Sequence, residues 1–461
     1  MGELREKCAV FGVYGKNLDV SRLTFFGLYA LQHRGQESSG IATGDGEKLH
    51  SHKGMGLIAN VFDEESISSL PGYVAVGHNR YTTSGTSELD GAQPLIIDDV
   101  GIALVHNGNL PDTSALETFL KEKNTNVATL NDSQMIAEAI AVYMRSGSSL
   151  EEAVQKTYPL MTGVFSILIM SKDTLIAIRD PFGIRPLSIG TIEDNYVFAS
   201  ETCAFHPTGT TYLRDVKPGE MVVVNEEGLQ SIQIEQGSEH LDLFEFVYFS
   251  RPDSMLMGKS VYQVRKNFGA ELAKECRYEA DVVIPVPETS VPVAVGYSEA
   301  TGIPFETGLI KNRYIHRTFI QPEQRTREQS AKMKLTPIPE VIEGKRVVLI
   351  DDSIVRGTTS RAIIKMMYEA GAKEVAFLIS SPPVKYPDFY GIDTPKQQQL
   401  LAAQMSVDDI RKYLEVDHLC FLSLEGTVHA TGLPKDSFCT SCFTGEYIVD
   451  IGTNKKLIQQ I

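Results

Sequence analysis

VVLIDDSIVRGTTSR, residues 347–361, decides how the second half of the chain is read. Residues 347–350 are four apolar residues in a row and predict a short strand buried on both faces. Asp351 and Asp352 follow at once. Then come a turn holding Gly357, Thr358 and Thr359 and the segment SRAIIKMMYEAGA, whose apolar residues recur at helical spacing. Strand, acidic pair, Gly/Thr loop and helix place a site at the carboxyl end of a strand, where open α/β sheets bind ligands. The N–H groups of the loop and the helix N-terminus suit a phosphate. The carboxylates suit a sugar diol, or a Mg²⁺ carried on a pyrophosphate. The local chemistry is that of a phosphorylated sugar with its 5-phosphate in the loop. Any doubly wound sheet with an acidic edge shares the same strand–turn–helix outline.

Outward from this stretch, 461 residues suggest two domains or more. A hydrophobic content of 42% and a charged content of 22% predict an ordinary packed core. No run approaches the ~18 apolar residues of a membrane span. The start, MGELREK, lacks the apolar stretch of a signal peptide. A cytoplasmic location is expected, with no membrane partner. A formal net charge of −16 argues against a nucleic-acid surface. In such a chain the six cysteines are expected to be thiols rather than a disulfide framework. Cys203, Cys276 and Cys420 lie in mixed apolar stretches and read as core residues.

The first half begins with CAVFGVYG, apolar enough for a buried strand, followed by a helical apolar pattern that ends near His33-Arg34-Gly35. Strand-like segments then alternate with Gly-rich turns: VAVGHNRYTTSG, IALVHNGNL and VFSILIM. Helices are expected near residues 132–145 and 150–158, and strands return at TLIAIRD, PLSIGTI, YVFAS and EMVVVN. Many strands with two helical stretches predict a layered α+β domain ending near residue 235. On its own, Cys8 fits a core thiol in an apolar strand. It becomes a nucleophile only if residues 1–7 are removed as a leader, because its own α-amino group, with a pKa of about 8, then serves as the base.

The stretches LQHRGQES, GHNRYTTSG, VHNGNL, NDSQM, RDPFGIRPL and ASETCAF together resemble the N-terminal-nucleophile glutaminase domain of glutamine amidotransferases, an αββα layered fold. The resemblance implies that Cys8 attacks the amide carbon of glutamine. Arg80 would hold the substrate's α-carboxylate and Asp132 its α-amino group, and Asn107 and Gly108 would form the oxyanion hole. Arg80 as a surface ion pair, Asp132 as a helix N-cap and Asn107-Gly108 as a tight turn are the plain structural readings of the same residues. Two departures stand out. Ala9 replaces the usual Gly after the nucleophile, so an extra methyl must fit beside the substrate, and the leader joins through Lys7 where Glu is common.

The second half, residues 236–461, alternates strands and helices and predicts a mostly parallel sheet. Between strands lies GIPFETGLIKNRYIHRTFIQPEQRTREQSAKMKL, a long polar and basic loop of the kind that is usually functional in a compact domain. VVLIDDSIVRGTTSR resembles the signature of type I phosphoribosyltransferases, which bind phosphoribosyl pyrophosphate (PRPP). FEFVYFSRPDS, VPETS, LIKNRYIHRTFIQP, SSPPVKYP and FYGIDT extend the resemblance, and both halves in this order resemble the amidophosphoribosyltransferase family. That family implies PRPP binding at Asp351, Asp352, Gly357, Thr358 and Thr359, with Mg²⁺ linked to Thr289, Asp351 and Asp352. Lys311, Arg313, Tyr314 and Arg317 would lie on a loop that closes over PRPP. The resemblance also implies purine nucleotides as feedback inhibitors and a homo-oligomer, a tetramer. Many members hold a [4Fe–4S] cluster on four cysteines. Here Cys439 and Cys442 match the final pair, but Asp242 and Asp388 stand at the other two positions. Carboxylates are poor substitutes for soft thiolates, so no stable cluster is expected. Other amidotransferases would need an ATP or isomerase domain where this chain has the PRPP signature.

Overall fold

The structure, a computed structural model, describes residues 8–81, 89–312, 334–392, 394 and 396–458. The first strand, Cys8–Tyr14, is buried on both faces. Ala9, Phe11 and Val13 pack with Val20, Leu28 and Ala204 under the helix Val20–Ala30. Val10 and Tyr14 point the other way, against Ala103, Val105 and Leu168 of a second sheet. Alternation with period two therefore sends one side-chain set towards a helix and the other between sheets. Each fully buried Val, Leu or Phe here contributes about 1.5–3 kcal/mol.

This strand is central in a seven-stranded sheet with the order Thr211–Asp215, Ser188–Ile192, Asn195–Ala199, Cys8–Tyr14, Val74–Arg80, Ser38–Gly44, Leu49–Met55. The facing six-stranded sheet runs Gly228–Gln233, Glu220–Asn225, Leu175–Arg179, Thr162–Met170, Ile102–Asp112, Leu95–Ile97. On its outer face Ile167, Ile169 and Ile178 pack against Ile136 and Ile140 of the helix Asp132–Arg145 and Val154 of the helix Leu150–Thr157. Helix, sheet, sheet and helix form the four expected layers. One detail differs: the N-cap of the helix Asp132–Arg145 is Asn131, which closes a capping box with Gln134, so Asp132 is the first helical residue and its carboxylate is left for other work.

The second half holds a four-stranded parallel sheet, Val282–Pro285, Arg346–Asp351, Glu374–Ile379, His418–Phe421. Val283, Val348 and Leu378 pack towards Phe268 and Tyr297, while Ile284, Leu349 and Phe377 pack towards Ile363 and Met367. Both faces are covered, which is why 347–350 is an unbroken apolar run. The long basic loop is flanked by Leu309–Lys311 and Leu335–Pro337, which pair with each other. Among the described residues no helix is long and apolar enough to cross a membrane.

The cysteine expectation needs a correction. Cys276 and Cys420 form a disulfide with a Cα–Cα distance of 6.1 Å, joining the end of the helix Val261–Glu275 to the strand His418–Phe421. The partners lie 144 residues apart, and only the fold brings them together. Cys203 is a buried thiol as expected.

The helices Val261–Glu275 and Val291–Thr301 touch through two glycines. A Cβ on Gly296 would sit 1.9 Å from the Lys266 carbonyl oxygen, and one on Gly269 1.9 Å from that of Val293. The second helix starts two residues after Thr289, so this contact sets where Thr289 stands. Gly296→Ala is expected to lower the unfolding free energy by about 1–3 kcal/mol in urea titration. An unchanged midpoint would show that the helices do not need this approach.

Candidate active sites

The first site is built by strand register. Cys8 pairs with Arg80 on the neighbouring strand, and Arg80 pairs with Ser38 on the next. The 33–37 turn rests on the same strand. A Cβ on Gly35 would come 2.5 Å from the Asn79 carbonyl, and the Glu37 N–H donates to the Arg80 carbonyl at 3.0 Å. Gly91 lets the Arg80 guanidinium pass, since a Cβ there would meet its Nη1 at 2.0 Å. Ala9 is fully buried in the cluster under the helix Val20–Ala30, so its methyl packs in the core rather than beside a substrate. That answers the departure seen in the sequence.

Asn107 and Gly108 lie on the strand Ile102–Asp112 of the facing sheet, inside a strand rather than in a tight turn. Gly108 has φ +156, and a Cβ on it would stand 2.1 Å from the Val164 carbonyl oxygen. The Asn107 amide Nδ2 is buried and donates to nothing among the described residues. Asp132 is oriented by the backbone. Its Oδ1 accepts from the Ser133 N–H at 2.8 Å and its Oδ2 from the Leu110 N–H at 3.2 Å.

Beneath them lies a polar layer that sequence reasoning left unassigned. His106 Nδ1 lies 2.9 Å from Ser133 Oγ and 4.0 Å from Asp132 Oδ2. Gln93 accepts from the His106 N–H at 2.7 Å. Burial pushes the His78 imidazole down to about 3, so it is neutral, with its Nε2 3.1 Å from the His106 carbonyl. The signal was present in the quoted stretches VHNGNL and NDSQM, where His106 and Ser133 adjoin the assigned residues.

The second site lies at the carboxyl ends of two adjacent parallel strands, Val282–Pro285 and Arg346–Asp351. Thr289 Oγ1 donates to Asp352 Oδ2 at 2.5 Å, and Ser353 Oγ donates to Asp352 Oδ1 at 2.8 Å. Asp351 Oδ1 accepts from the Asp352 N–H at 2.9 Å. Gly357 is left-handed with φ +72 and starts the helix Thr358–Glu369, with Thr358 and Thr359 in its first turn. No side chain caps that helix start, so its N–H groups face the loop without an internal acceptor from a cap. Lys311 Nζ lies 3.8 Å from Glu288 Oε2. Thr289, Asp351, Asp352, Gly357, Thr358 and Thr359 are thus brought together. Arg313, Tyr314 and Arg317 lie outside the described residues.

These features are those of a two-part amidotransferase: a strand that begins at Cys8 and pairs with the Arg80 strand, and a parallel α/β sheet with an acidic pair and a Gly/Thr loop at its strand ends. Comparison with known proteins agrees half by half. Residues 78–207 match the family described as glutamine amidotransferase domain, and residues 258–383 match the phosphoribosyl transferase domain. The chain is 48% identical over 453 residues to an amidophosphoribosyltransferase of Synechocystis sp., covering 97% of this chain and 92% of that protein. It is 47% identical over 457 residues to one of Bacillus subtilis, covering 97% and 95%. The B. subtilis glutamine PRPP amidotransferase complexed with ADP and GMP superposes with a TM-score of 0.90 at 46% identity, covering 97% of this chain and 98% of that one. The chain belongs to the amidophosphoribosyltransferase family.

Asp242, Asp388, Cys439 and Cys442 are all buried and lie in one region, near enough to influence one another electrostatically. The two-residue strands Leu241–Asp242 and Phe438–Cys439 pair in parallel, with Asp242 opposite Cys439. Each carboxylate has one oxygen tied to its own turn. Asp242 Oδ1 accepts from the Phe244 N–H at 2.9 Å, and Asp388 Oδ1 accepts from the N–H groups of Tyr390 and Ile392 at 2.8 and 2.7 Å. Burial, and then the charge of Asp388, pushes the Asp242 carboxyl up to about 8. Burial likewise raises both thiols. Among the described residues no three His, Cys, Asp or Glu side chains gather so that they could hold a metal ion.

The raised Asp242 carboxyl makes stability depend on pH. In the unfolded chain it ionises near ~3.9, whereas folded it keeps its proton until about 8. The unfolded state therefore binds fewer protons between these values, and this group's contribution is full below pH ~4 and lost as pH rises towards 8. Asp242→Asn, neutral throughout, is expected to raise the melting temperature, with a larger gain at pH 8 than at pH 5. A gain that shrinks with pH would mean that Asp242 is ionised in the folded protein.

Proposed function

We propose that this chain converts glutamine, PRPP and water into glutamate, 5-phosphoribosylamine and pyrophosphate, the first committed step of purine synthesis. The observation that carries the glutamine half is the buried Asn107 amide, without a hydrogen-bond partner among the described residues, on the sheet facing the Cys8 strand. A buried donor with no acceptor costs about 1–3 kcal/mol and is kept where an oxyanion will need it. After removal of residues 1–7, the α-amino group of Cys8 takes the thiol proton and the sulfur attacks the glutamine amide carbon. Arg80 holds the substrate's α-carboxylate and Asp132 its α-amino group, while Asn107 Nδ2 and Gly108 stabilise the oxyanion. The C–N bond breaks, the amide nitrogen leaves as ammonia, and water hydrolyses the thioester to glutamate.

Ammonia then attacks the anomeric carbon of PRPP, the C–O bond breaks, and pyrophosphate leaves with the electron pair. The 5-phosphate sits on the uncapped helix start with Gly357, Thr358 and Thr359, and the ribose hydroxyls on Asp351 and Asp352. Lys311, with Arg313, Tyr314 and Arg317, covers the pyrophosphate and keeps water out. Thr289, Asp351 and Asp352 offer the hard oxygen donors that fit Mg²⁺, an ion commonly held by one or two carboxylates plus substrate phosphates. When bound it neutralises charge on the pyrophosphate.

A [4Fe–4S] cluster has no place in this reading. Two hard carboxylates, each with an oxygen committed to backbone N–H groups, stand where the cluster-bearing members have thiolates. A cytoplasmic homo-oligomer, a tetramer, regulated by purine nucleotides completes the proposal, in keeping with the ADP and GMP bound to the B. subtilis relative.

The division of labour has a direct test. Cys8→Ala is expected to abolish glutamine-dependent pyrophosphate release and to leave ammonia-dependent release intact. Asp352→Asn is expected to weaken both. Loss of both activities in Cys8→Ala would overturn the split between the halves. Protein purified without oxygen is expected to contain neither stoichiometric iron nor acid-labile sulfide and to lose no activity in air. Several irons per chain, lost with activity on exposure to air, would make Asp242 and Asp388 ligands after all.

A further inference from the structure

The seam between the two halves holds a buried charge network that none of the assigned roles uses. Arg34, Glu201 and Arg185 come from the glutaminase half and Glu245 from the segment that leads into the PRPP half, and all four are buried. Arg34 Nη2 donates to Glu245 Oε2 at 2.6 Å and to Ser250 Oγ at 3.2 Å, while its Nε pairs with Glu201. Ser250 Oγ also donates to Glu245 Oε2 at 2.8 Å, and Arg185 Nη1 donates to Glu245 Oε1 at 3.0 Å. Glu201 Oε2 accepts from the Arg251 N–H at 2.9 Å and from Ser254 Oγ at 2.6 Å. Burial alone would raise the Glu245 carboxyl, but Arg34 and Arg185 outweigh it and hold it ionised.

Both ends of this network reach a site. At one end, Arg34 precedes Gly35, whose missing Cβ seats the turn on the backbone of Asn79 and Arg80, the strand that pairs with Cys8. At the other, Ser250 and Phe246 offer their carbonyls to buried Arg265, each at 2.8 Å. Burial lowers the Arg265 guanidinium, and Asp352 of the second site is the carboxylate that most restores its charge. A polar path thus runs from the turn on the Arg80 strand through Arg34, Glu245 and Ser250 to Arg265, on the helix Val261–Glu275 that packs against the helix following Thr289, the residue bonded to Asp352.

We propose that Arg34 and Glu245 are positioning residues that hold the glutamine site and the PRPP site in one fixed relation, so that ammonia freed at the first is consumed at the second. The proposal rests on the amidotransferase reading above. Directional, desolvated ion pairs resist sliding in a way that an apolar seam does not, because any displacement leaves a buried charge unpaired.

The test measures glutamate formed and pyrophosphate released in the same reaction with the full-length enzyme. A ratio near one in the unaltered enzyme supports the parent reading, and glutamate without pyrophosphate would sink that reading by itself. Glu245→Gln keeps the shape and removes the charge. It is expected to raise the glutamate-to-pyrophosphate ratio about two- to thirtyfold while ammonia-dependent pyrophosphate release stays within about twofold. An unchanged ratio, or an equal fall in both activities, overturns the proposal and leaves the network a purely structural one. If Glu245→Gln does not fold, Ser250→Ala removes the hydroxyl that bridges Arg34 and Glu245. It is expected to raise the ratio in the same direction, and an unchanged ratio there overturns the proposal equally.

Discussion

The two halves of this molecule meet across a seam of buried ions, and both candidate sites are arranged about it. Removing a charge from water costs several kcal/mol even after relaxation. Arg34, Arg185, Glu201 and Glu245 are all withdrawn from solvent, and each is compensated by an opposite charge or by backbone and hydroxyl partners. Such a network adds little net stability compared with apolar packing, yet breaking one member costs about 3–5 kcal/mol. Its worth lies in specificity. The segment 245–254 fits the glutaminase half in one arrangement, and the strand and loop positions of both sites follow from that arrangement.

The two sites reach their geometry by opposite means. The first candidate site uses antiparallel register: Cys8 lies opposite Arg80 because β-pairing counts residues one against one, and a slip of one residue would turn one strand's side chains to the other face. Asn107 and Asp132 then approach from the facing sheet and its helix. The PRPP side uses the ends of parallel strands, where the chain must leave the sheet and turn. Thr289 and Asp352 meet because Val282–Pro285 and Arg346–Asp351 are neighbours that end at the same level.

The second kind of site was legible from one local stretch. The strand, the acidic pair, the turn with Gly357 and the helix are consecutive in 347–361, so each feature predicts the next. The first kind was not. Nothing local marks Cys8 as more than a core thiol, and its partners lie 72, 99 and 124 residues downstream; only the likeness of many scattered stretches joined them. Long-range pairing hid other facts for the same reason. The Cys276–Cys420 disulfide joins a helix end to the last strand of the sheet. The polar layer of His106, Ser133 and Gln93 is assembled from two strand regions and a helix. The network around Glu245 draws on four separate segments. Asp132 shows the converse error of local reading: an acidic residue before an apolar run looks like a cap, but Asn131 with Gln134 takes that role.

Two places where the fold leaves donors without a side-chain partner among the described residues fall at the proposed sites. Most buried donors in a folded chain are satisfied internally, since an orphan costs about 1–3 kcal/mol. Asn107 Nδ2 carries that cost on one side. On the other, the helix Thr358–Glu369 begins at a left-handed glycine that makes no side-chain cap bond. Both are donors, which is what the proposed oxyanion and sugar phosphate would need. Asp242 presents a different case, an acid driven towards its neutral form by burial and by the charge of Asp388. One oxygen of each carboxylate is tied to backbone N–H groups of its own turn.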